Sequence, residues 1–492
     1  MDNAQKAILL DAAINFAERA NFHITSFNYF IEHTLQSIID SNSKIEPVIK
    51  PQGAEDFYIK LGKIELLPPD VHEADSAVRP LYPMEARIRD LTYDSPMLLN
   101  VSYMANDEPI KEDKVLIGRL PIVVKSNLCR LNGLSREELI KLNEDPDDPG
   151  GYFIISGTER VVMTAEDLAP NNILINKEER EGIQYTVKIF ADVTDVKVPH
   201  TIILSNNNLL YIDFGRLRRV PVTTLLKALG EENDQKLIES IAQGDKDIEN
   251  TIDLNLTAMP VADKGEALES IGNSLHSIHP KETAESNIDL LLFPFMGRTP
   301  DSRQAKAEYI KYVIRYLLKY AEEGKEVYKD HYANKRLHGE NYQLETLFRF
   351  IFRQIINDAK YNFERGVRKD RIPNPQYIFT SDQMTLRLRS SLATGRWPGG
   401  KVGVTQHLER RSFPSMISNL RKAESSLTSN RENFSARDLH GTHFGRFCAV
   451  ETPEGANVGL TKNIALFAKI SDENSEEEKI YKKLGDIGVK TL

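Results

Sequence analysis

FSARDLHGTHFGRFCAVETPEGANVGLTKN, Phe434–Asn463, is the stretch on which the reading of this chain turns. It packs Arg437, Asp438, His440, His443, Arg446, Glu451, Glu454 and Asn457 together, with repeated glycine and neither a helical nor a strand period. A segment of that kind belongs on a loop-rich surface shaped by what it touches. His440 and His443, with Asp438 and Cys448 nearby, invite a zinc reading. Gly441-Thr442 between them does not favour the helix that would aim two imidazoles at one ion, so the histidines are expected to brace a turn and no metal site is assigned. Glu451 and Glu454 flank Pro453 and precede Gly455, a tight turn in which one carboxylate is left to orient an arginine; a dyad for acid–base work is the weaker reading. No catalytic residue is assigned. Nothing here supplies the clustered aspartates of a two-metal site, so any chemistry of that kind has to borrow its metal from elsewhere.

Working outward, the basic character continues upstream. Met384–Asn463 holds 12 Lys/Arg against 6 Asp/Glu, a local +6 in a chain whose total is −9, which leaves −15 for the remainder. Arg410, Arg411, Arg421, Lys422, Arg431, Arg437 and Arg446 recur without a compensating acidic row, and guanidinium groups suit bidentate phosphate contact. Gln406, Asn419 and Asn457 add neutral groups for ribose or base edges. In TGRWPGGKVG the glycines 395, 399, 400 and 403 follow neither the Walker spacing nor the dinucleotide fingerprint, so the expectation is a loop that offers Arg396 and Lys401 to phosphates, without nucleotide hydrolysis.

The whole chain sets the frame. At 492 residues it exceeds what one core supports, so several domains are expected. Its composition is 40% hydrophobic and 27% charged, and no apolar run approaches the roughly 18 residues of a membrane span. The start, MDNAQKAILLDAAINFAERA, reads as an amphipathic helix, not a leader, and two distant cysteines, Cys129 and Cys448, make no disulfide framework. A cytosolic or nuclear chain with an acidic body and one basic face is the implied class.

Strands are expected at Leu99–Met104, Gly118–Lys125 and Tyr152–Ser156, the last entered from the turn cluster NEDPDDPGG, whose Pro149 and Ser156 rule out a calcium loop. Gln184–Val193 alternates, and Ile202–Ser205 with Leu209–Phe214 flank a polar Asn206–Asn208 as a hairpin. Asp245–Leu256 and His279–Ser286 are polar enough to read as surface connections. Glu308–Ala321 and Leu344–Ile356 carry helical apolar spacing, and from Met384 onward the reading is loop-rich. Ser471–Lys483 reads as a solvated charged tail.

DLHGTHFGRFC and ETPEGANVGL closely resemble the fork region of the second-largest subunit of multisubunit DNA-directed RNA polymerase. The resemblance extends through SLATGRWPGGKVGVTQHLERRSFPSMISNLRK (Ser391–Lys422), DPGGYFIISGTERVV (Asp148–Val162), RLPIVVKSNLCRL (Arg119–Leu131), DHYANKRL (Asp330–Leu337) and HITSFNYFI (His23–Ile31), in the family's order along nearly the whole chain. The wording is of archaeal or eukaryotic type. Members are usually more than twice as long; this chain is similar to the split archaeal subunit in which the N-terminal half, B″, is a separate polypeptide completed by B′. Met1 and the charged tail favour a natural product over a truncation.

The resemblance implies an α+β multidomain fold of mixed helices and antiparallel sheets: a protrusion in residues 1–169 and 339–384, a lobe inserted at 170–338, and a fork at 385–492. It implies a cytoplasmic subunit of a transcribing nucleotidyltransferase, inactive alone, with the catalytic magnesium ligands on another chain and no cofactor of its own. Template DNA, the RNA–DNA hybrid, B′, the largest-subunit chains, other polymerase subunits and archaeal initiation factors are the implied partners. By residue match, Gln406, Arg410, Arg421 and Lys422 lie near the hybrid, in the wall that forms the rifamycin pocket of bacterial relatives, where Glu409 and Asn419 depart from the bacterial residues. Arg431 sits in a loop near strand separation. Arg437, Asp438, His440, His443, Arg446, Glu451, Glu454 and Asn457 build the active-centre wall. A stand-alone nucleic-acid-binding protein using the basic 384–463 segment is the rival reading.

Overall fold

The computed structural model describes residues 2, 5–6, 20–51, 56–75, 77–178, 182–193, 196–231, 233–323, 329–369, 371–427, 433–471 and 483–484. The expected N-terminal helix, Arg431 and the charged tail therefore fall largely or wholly outside the described residues. The chain forms two compact units, one within 1–167 and 337–480, the other within 168–336 and 481–492. Each has its own apolar core. The class is α+β, with helices and antiparallel sheets mixed in both. No described helix is long and apolar enough to cross a membrane.

The first unit is built on a four-stranded antiparallel sheet in the order Lys44–Ile45, Phe57–Leu66, Asp94–Ala105, Glu108–Pro121. The last two strands are joined at Asn106-Asp107, both with positive φ, the backbone that matches strand twist in a two-residue hairpin. Alternate residues Phe57, Ile59 and Leu61 and Leu99, Val101 and Tyr103 point to one buried face. A 28-residue helix, Glu340–Val367, covers it: Phe363 stacks on Phe57 at 4.9 Å and meets Tyr103 edge-on at 5.4 Å. Burying each such ring contributes about 1.5–3 kcal/mol. The strand expected over Gly118–Lys125 stops at Pro121, and Lys125 adopts a positive φ beyond it.

The second unit carries a five-stranded antiparallel meander, Leu174–Lys177, Ile183–Val193, Val196–Ser205, Leu210–Phe214 and Leu217–Pro221, which contains the expected hairpin about Asn206–Asn208. His200 is buried between Phe293 and Phe214. Its Nδ1 lies 3.0 Å from the Val198 carbonyl, and its Nε2 accepts from the Phe293 N–H at 3.0 Å. Burial pushes its pKa down to about 4, so the ring is a neutral structural group.

Three expectations are corrected. Asp245–Leu256 and His279–Ser286 are not connections but parts of helices Lys246–Ala258 and Pro280–Leu291. Asp245 caps the first through the Asp247 and Ile248 N–H groups, and Pro280 opens the second. Each buries only about one apolar residue per turn, Ile248 and Ile252 in one, Ala284 and Ile288 in the other, so their acidic outer faces hid the period. The stretch from Met384 also begins inside a helix, Ser381–Thr394, which buries Met384, Leu388 and Leu392 at four-residue spacing.

Candidate nucleic-acid interface

Helix Ser381–Thr394 ends at Gly395, in the left-handed region at φ 68°, where a Cβ would come within 2.7 Å of the Thr405 carbonyl. The following loop is pinned by Trp397, whose indole N–H donates to the Gln343 carbonyl at 2.9 Å and whose backbone N–H donates to Lys401 at 2.9 Å. Two short ladders follow. Thr405–His407 pairs antiparallel with Thr158–Val162, while Lys422–Ser425 lies parallel to Thr164–Leu168 and antiparallel to Thr461–Asn463. Together they border an open pocket of about 670 Å³, lined among others by Thr164, Lys401, Gln406, Glu424, Asn457 and Thr461. Gln406 donates to Glu424 at 2.5 Å. Burial raises the Glu424 pKa against that hydrogen bond and the Lys422 charge.

Beneath this rim the expected nucleic-acid ligands behave very differently from one another. The Arg410 guanidinium is held by Glu159 at 2.7 and 2.8 Å, by Asp148 at 2.8 Å and by the Tyr152 hydroxyl at 3.0 Å, and it lies over the Tyr152 ring. Arg87 reaches the same cluster through Glu159, Glu144 and Tyr152. Burial works against the Arg410 charge, but Glu159, Tyr152 and Asp148 outweigh it and hold the group more firmly protonated than usual. The turn 145–150, where no calcium loop was expected, thus serves to present Asp148: its other oxygen accepts from the Gly150 N–H at 2.7 Å.

Arg421 turns inward. It is 4% exposed and donates to the carbonyls of Ala465 at 2.6 Å, Ala468 at 3.3 Å and Ile464 at 3.4 Å, so its guanidinium organises the chain after the last strand instead of meeting solvent. Lys462 is buried on Glu166 at 2.9 and 3.0 Å. His23, fully buried, bridges Glu340 and the Leu420 carbonyl, the latter at 2.6 Å. Burial lowers its pKa, but the Glu340 charge and the two hydrogen bonds win and the net shift is upward. Arg437 donates to Ala456 and Val458 at 2.7 and 2.9 Å, Arg446 to Thr442 at 3.1 Å.

The remaining residues sit at the surface or shape it. Arg396 is exposed, Arg411 is exposed with Glu409 at 3.3 Å, and Lys422 is half-buried. His440 accepts from the Thr442 N–H at 3.2 Å, and His443 is buried edge-on to Phe447. Both therefore brace the turn at Gly441–His443, as their spacing predicts. Ser418 donates to Glu451, while Asp438, Glu454 and Asn457 are exposed. Among the described residues no three His, Cys, Asp or Glu side chains gather where an ion could be held. Sequence reasoning missed Arg87, Asp148, Tyr152, Glu159, Glu166 and His23; the only signal was the presence of Asp148, Tyr152 and Glu159 in DPGGYFIISGTERVV and of His23 in HITSFNYFI, while Arg87 and Glu166 lie outside every stretch singled out.

Comparison with known proteins follows the same segments. The family model described as RNA polymerase beta subunit matches residues 18–386, and one described as RNA polymerase Rpb2, domain 3 matches 406–470. The chain belongs to the RNA polymerase beta subunit family. It is 39% identical to "DNA-directed RNA polymerase subunit Rpo2N" of Methanocaldococcus jannaschii, over 98% of both chains. It is 36% identical to the subunit of that name in Methanothermobacter thermautotrophicus, over 96% of both. Against "DNA-directed RNA polymerase subunit Rpo2" of Saccharolobus shibatae it is 37% identical, with 95% of this chain covering 42% of that one. Within this beta-subunit family, the pocket and the tied arginines fall in or beside the Rpb2 domain 3 match.

Proposed function

We propose that this chain is the N-terminal half of a split second-largest subunit of an archaeal, cytoplasmic DNA-directed RNA polymerase, with protrusion at 1–169 and 339–384, lobe at 170–338 and fork at 385–492. The observation that carries the reading is the surface of 434–467. Phe434, Leu439, Phe444, Val450 and Phe467 are each more than 60% exposed, in a segment whose Arg437 and Arg446 are engaged with its own backbone. Single exposed apolar side chains are ordinary; a series of them in one segment fits a surface that another chain covers. The short Rpo2N relatives and the longer Rpo2 relatives support B′ as that chain.

On this reading the rim residues Lys401, Gln406 and Asn457, together with Arg396, Arg411 and Lys422 elsewhere in the segment, face template DNA and the RNA–DNA hybrid. Arg410, Arg421, Arg437 and Arg446 act by holding the loops that present the rim. Asp438, His440, His443, Glu451 and Glu454 shape the wall of the active centre. Arg431 keeps its proposed place at a phosphate near strand separation. This chain's part would be to orient nucleic acid beside a magnesium ion held by the largest subunit, which would supply polarisation of the reacting phosphate. Initiation factors are further proposed partners. Similarity over nearly the full length of polymerase subunits weighs against a stand-alone binding protein. Coexpression with the other polymerase subunits tests this: stoichiometric incorporation is expected, and a chain that stays free while the others assemble would sink the reading.

A further inference from the structure

At the end of helix Glu340–Val367 the chain carries Arg365, Arg368, Lys369 and Arg371 within seven residues. All four are exposed, and among the described residues none of their side chains has a carboxylate or hydrogen-bond partner. Elsewhere several cations do find an acid. Arg79 and Arg89 share Glu73 and Glu85, Arg136 pairs with Asp147, and Arg303 grips Asp289. Residues 365–371 hold these four bases against one acid, Asp370, which lies outside the described residues, a local +3 in a chain with 72 acids and 63 bases that can attract a negatively charged partner.

The turn that carries them is built, not frayed. The Lys369 and Arg371 N–H groups both donate to the Gly366 carbonyl, at 2.9 and 3.2 Å, and Arg368 donates to Glu364 at 3.0 Å. Folding the chain back this tightly brings the Pro373 ring to 2.9 Å from where a Gly366 Cβ would sit. The helix is itself anchored on the sheet by Phe363, so the cations are presented from a rigid base.

We infer that this turn is a second contact site for the phosphate backbone of duplex DNA, separate from the 384–463 segment. The inference rests on the polymerase reading, which supplies the DNA. Arginine forks suit paired phosphate oxygens. Residues 365–371 contain no aromatic side chain on which an unstacked base could lie, which favours a duplex backbone over a single strand.

The experiment uses assembled polymerase carrying Arg365→Gln, Arg368→Gln, Lys369→Gln and Arg371→Gln together, on two scaffolds, one with long flanking duplex and one trimmed to the hybrid. On the long scaffold, affinity at about 0.15 M salt is expected to fall at least tenfold, and the slope of log affinity against log salt to drop by about 2–4, near 0.9 for each phosphate no longer neutralised. On the trimmed scaffold nothing should change, and replacing the three arginines by lysine should keep the slope. Wild-type affinity and slope on the long duplex would overturn the inference. So would equal losses on both scaffolds, or intact DNA binding with lost binding of an acidic protein. Repeating the titration on the isolated chain reads the turn independently: failed assembly counts against the subunit reading, and an unchanged slope against this one.

Discussion

Arg410, Arg421 and Lys462 of the fork segment and Arg365, Arg368, Lys369 and Arg371 of the helix-end turn are the same kinds of residue in opposite situations. The first set is satisfied from within: Asp148, Glu159 and Glu166 stand 262, 251 and 296 residues away in sequence from the cations they hold. The second set has no acid to meet among the described residues. A density of positive charge along the sequence therefore does not say where charge is available. Tied cations fix the shape of a surface and free ones can meet a partner, and the distinction is made by contacts across the whole unit.

The largest expected effect lies deepest. Lys462→Met strands Glu166 in a buried site and should cost about 3–5 kcal/mol of unfolding free energy by urea titration, whereas replacing both residues with apolar ones should recover most of it. Equal losses in the single and double variants would mean that packing, not the ion pair, matters. Next, Arg421→Leu leaves the carbonyls of Ile464, Ala465 and Ala468 short of a donor and should cost about 2–3 kcal/mol. A neutral result would return Arg421 to the exposed set.

His23 adds a pH test. Because its folded pKa is raised, the stability it contributes is fully present below its unfolded value near 6.5 and is lost as pH rises through the higher folded value. Wild-type unfolding free energy should thus decline above pH 6.5, by at most about 1.4 kcal/mol per pH unit, while His23→Gln gives a flatter profile from a lower starting point. Parallel profiles would contradict the pairing with Glu340. The smallest effect belongs to the turn: each of Arg365→Gln, Arg368→Gln, Lys369→Gln and Arg371→Gln should stay within about 0.5 kcal/mol of wild type. A loss of about 2 kcal/mol or more in any of them would show that these cations, too, brace the fold.

Legibility in the sequence followed the same division. The strands at Leu99–Met104 and Gln184–Val193 and the helices about Glu308–Ala321 and Leu344–Ile356 were readable because their apolar residues keep a local period. Helices Lys246–Ala258, Pro280–Leu291 and Ser381–Thr394 were not, since one buried residue per turn leaves too thin a stripe among polar neighbours. In the candidate interface, the bracing role of His440 and His443 followed from Gly441-Thr442, a local feature. The inward turn of Arg421 and the capture of Arg410 did not, because both depend on partners brought in by the fold, a carbonyl cluster in one case and the turn 145–150 in the other.

The claim that the rim faces nucleic acid while the tied cations only support it can be tested by photocrosslinking in the assembled polymerase on a DNA–RNA scaffold. A photoreactive side chain at Lys401, on the pocket rim, is predicted to give a covalent adduct with nucleic acid, and one at Met416, buried beside Arg410, to give protein adducts alone. Nucleic-acid adducts from neither position, or equally from both, would contradict the account.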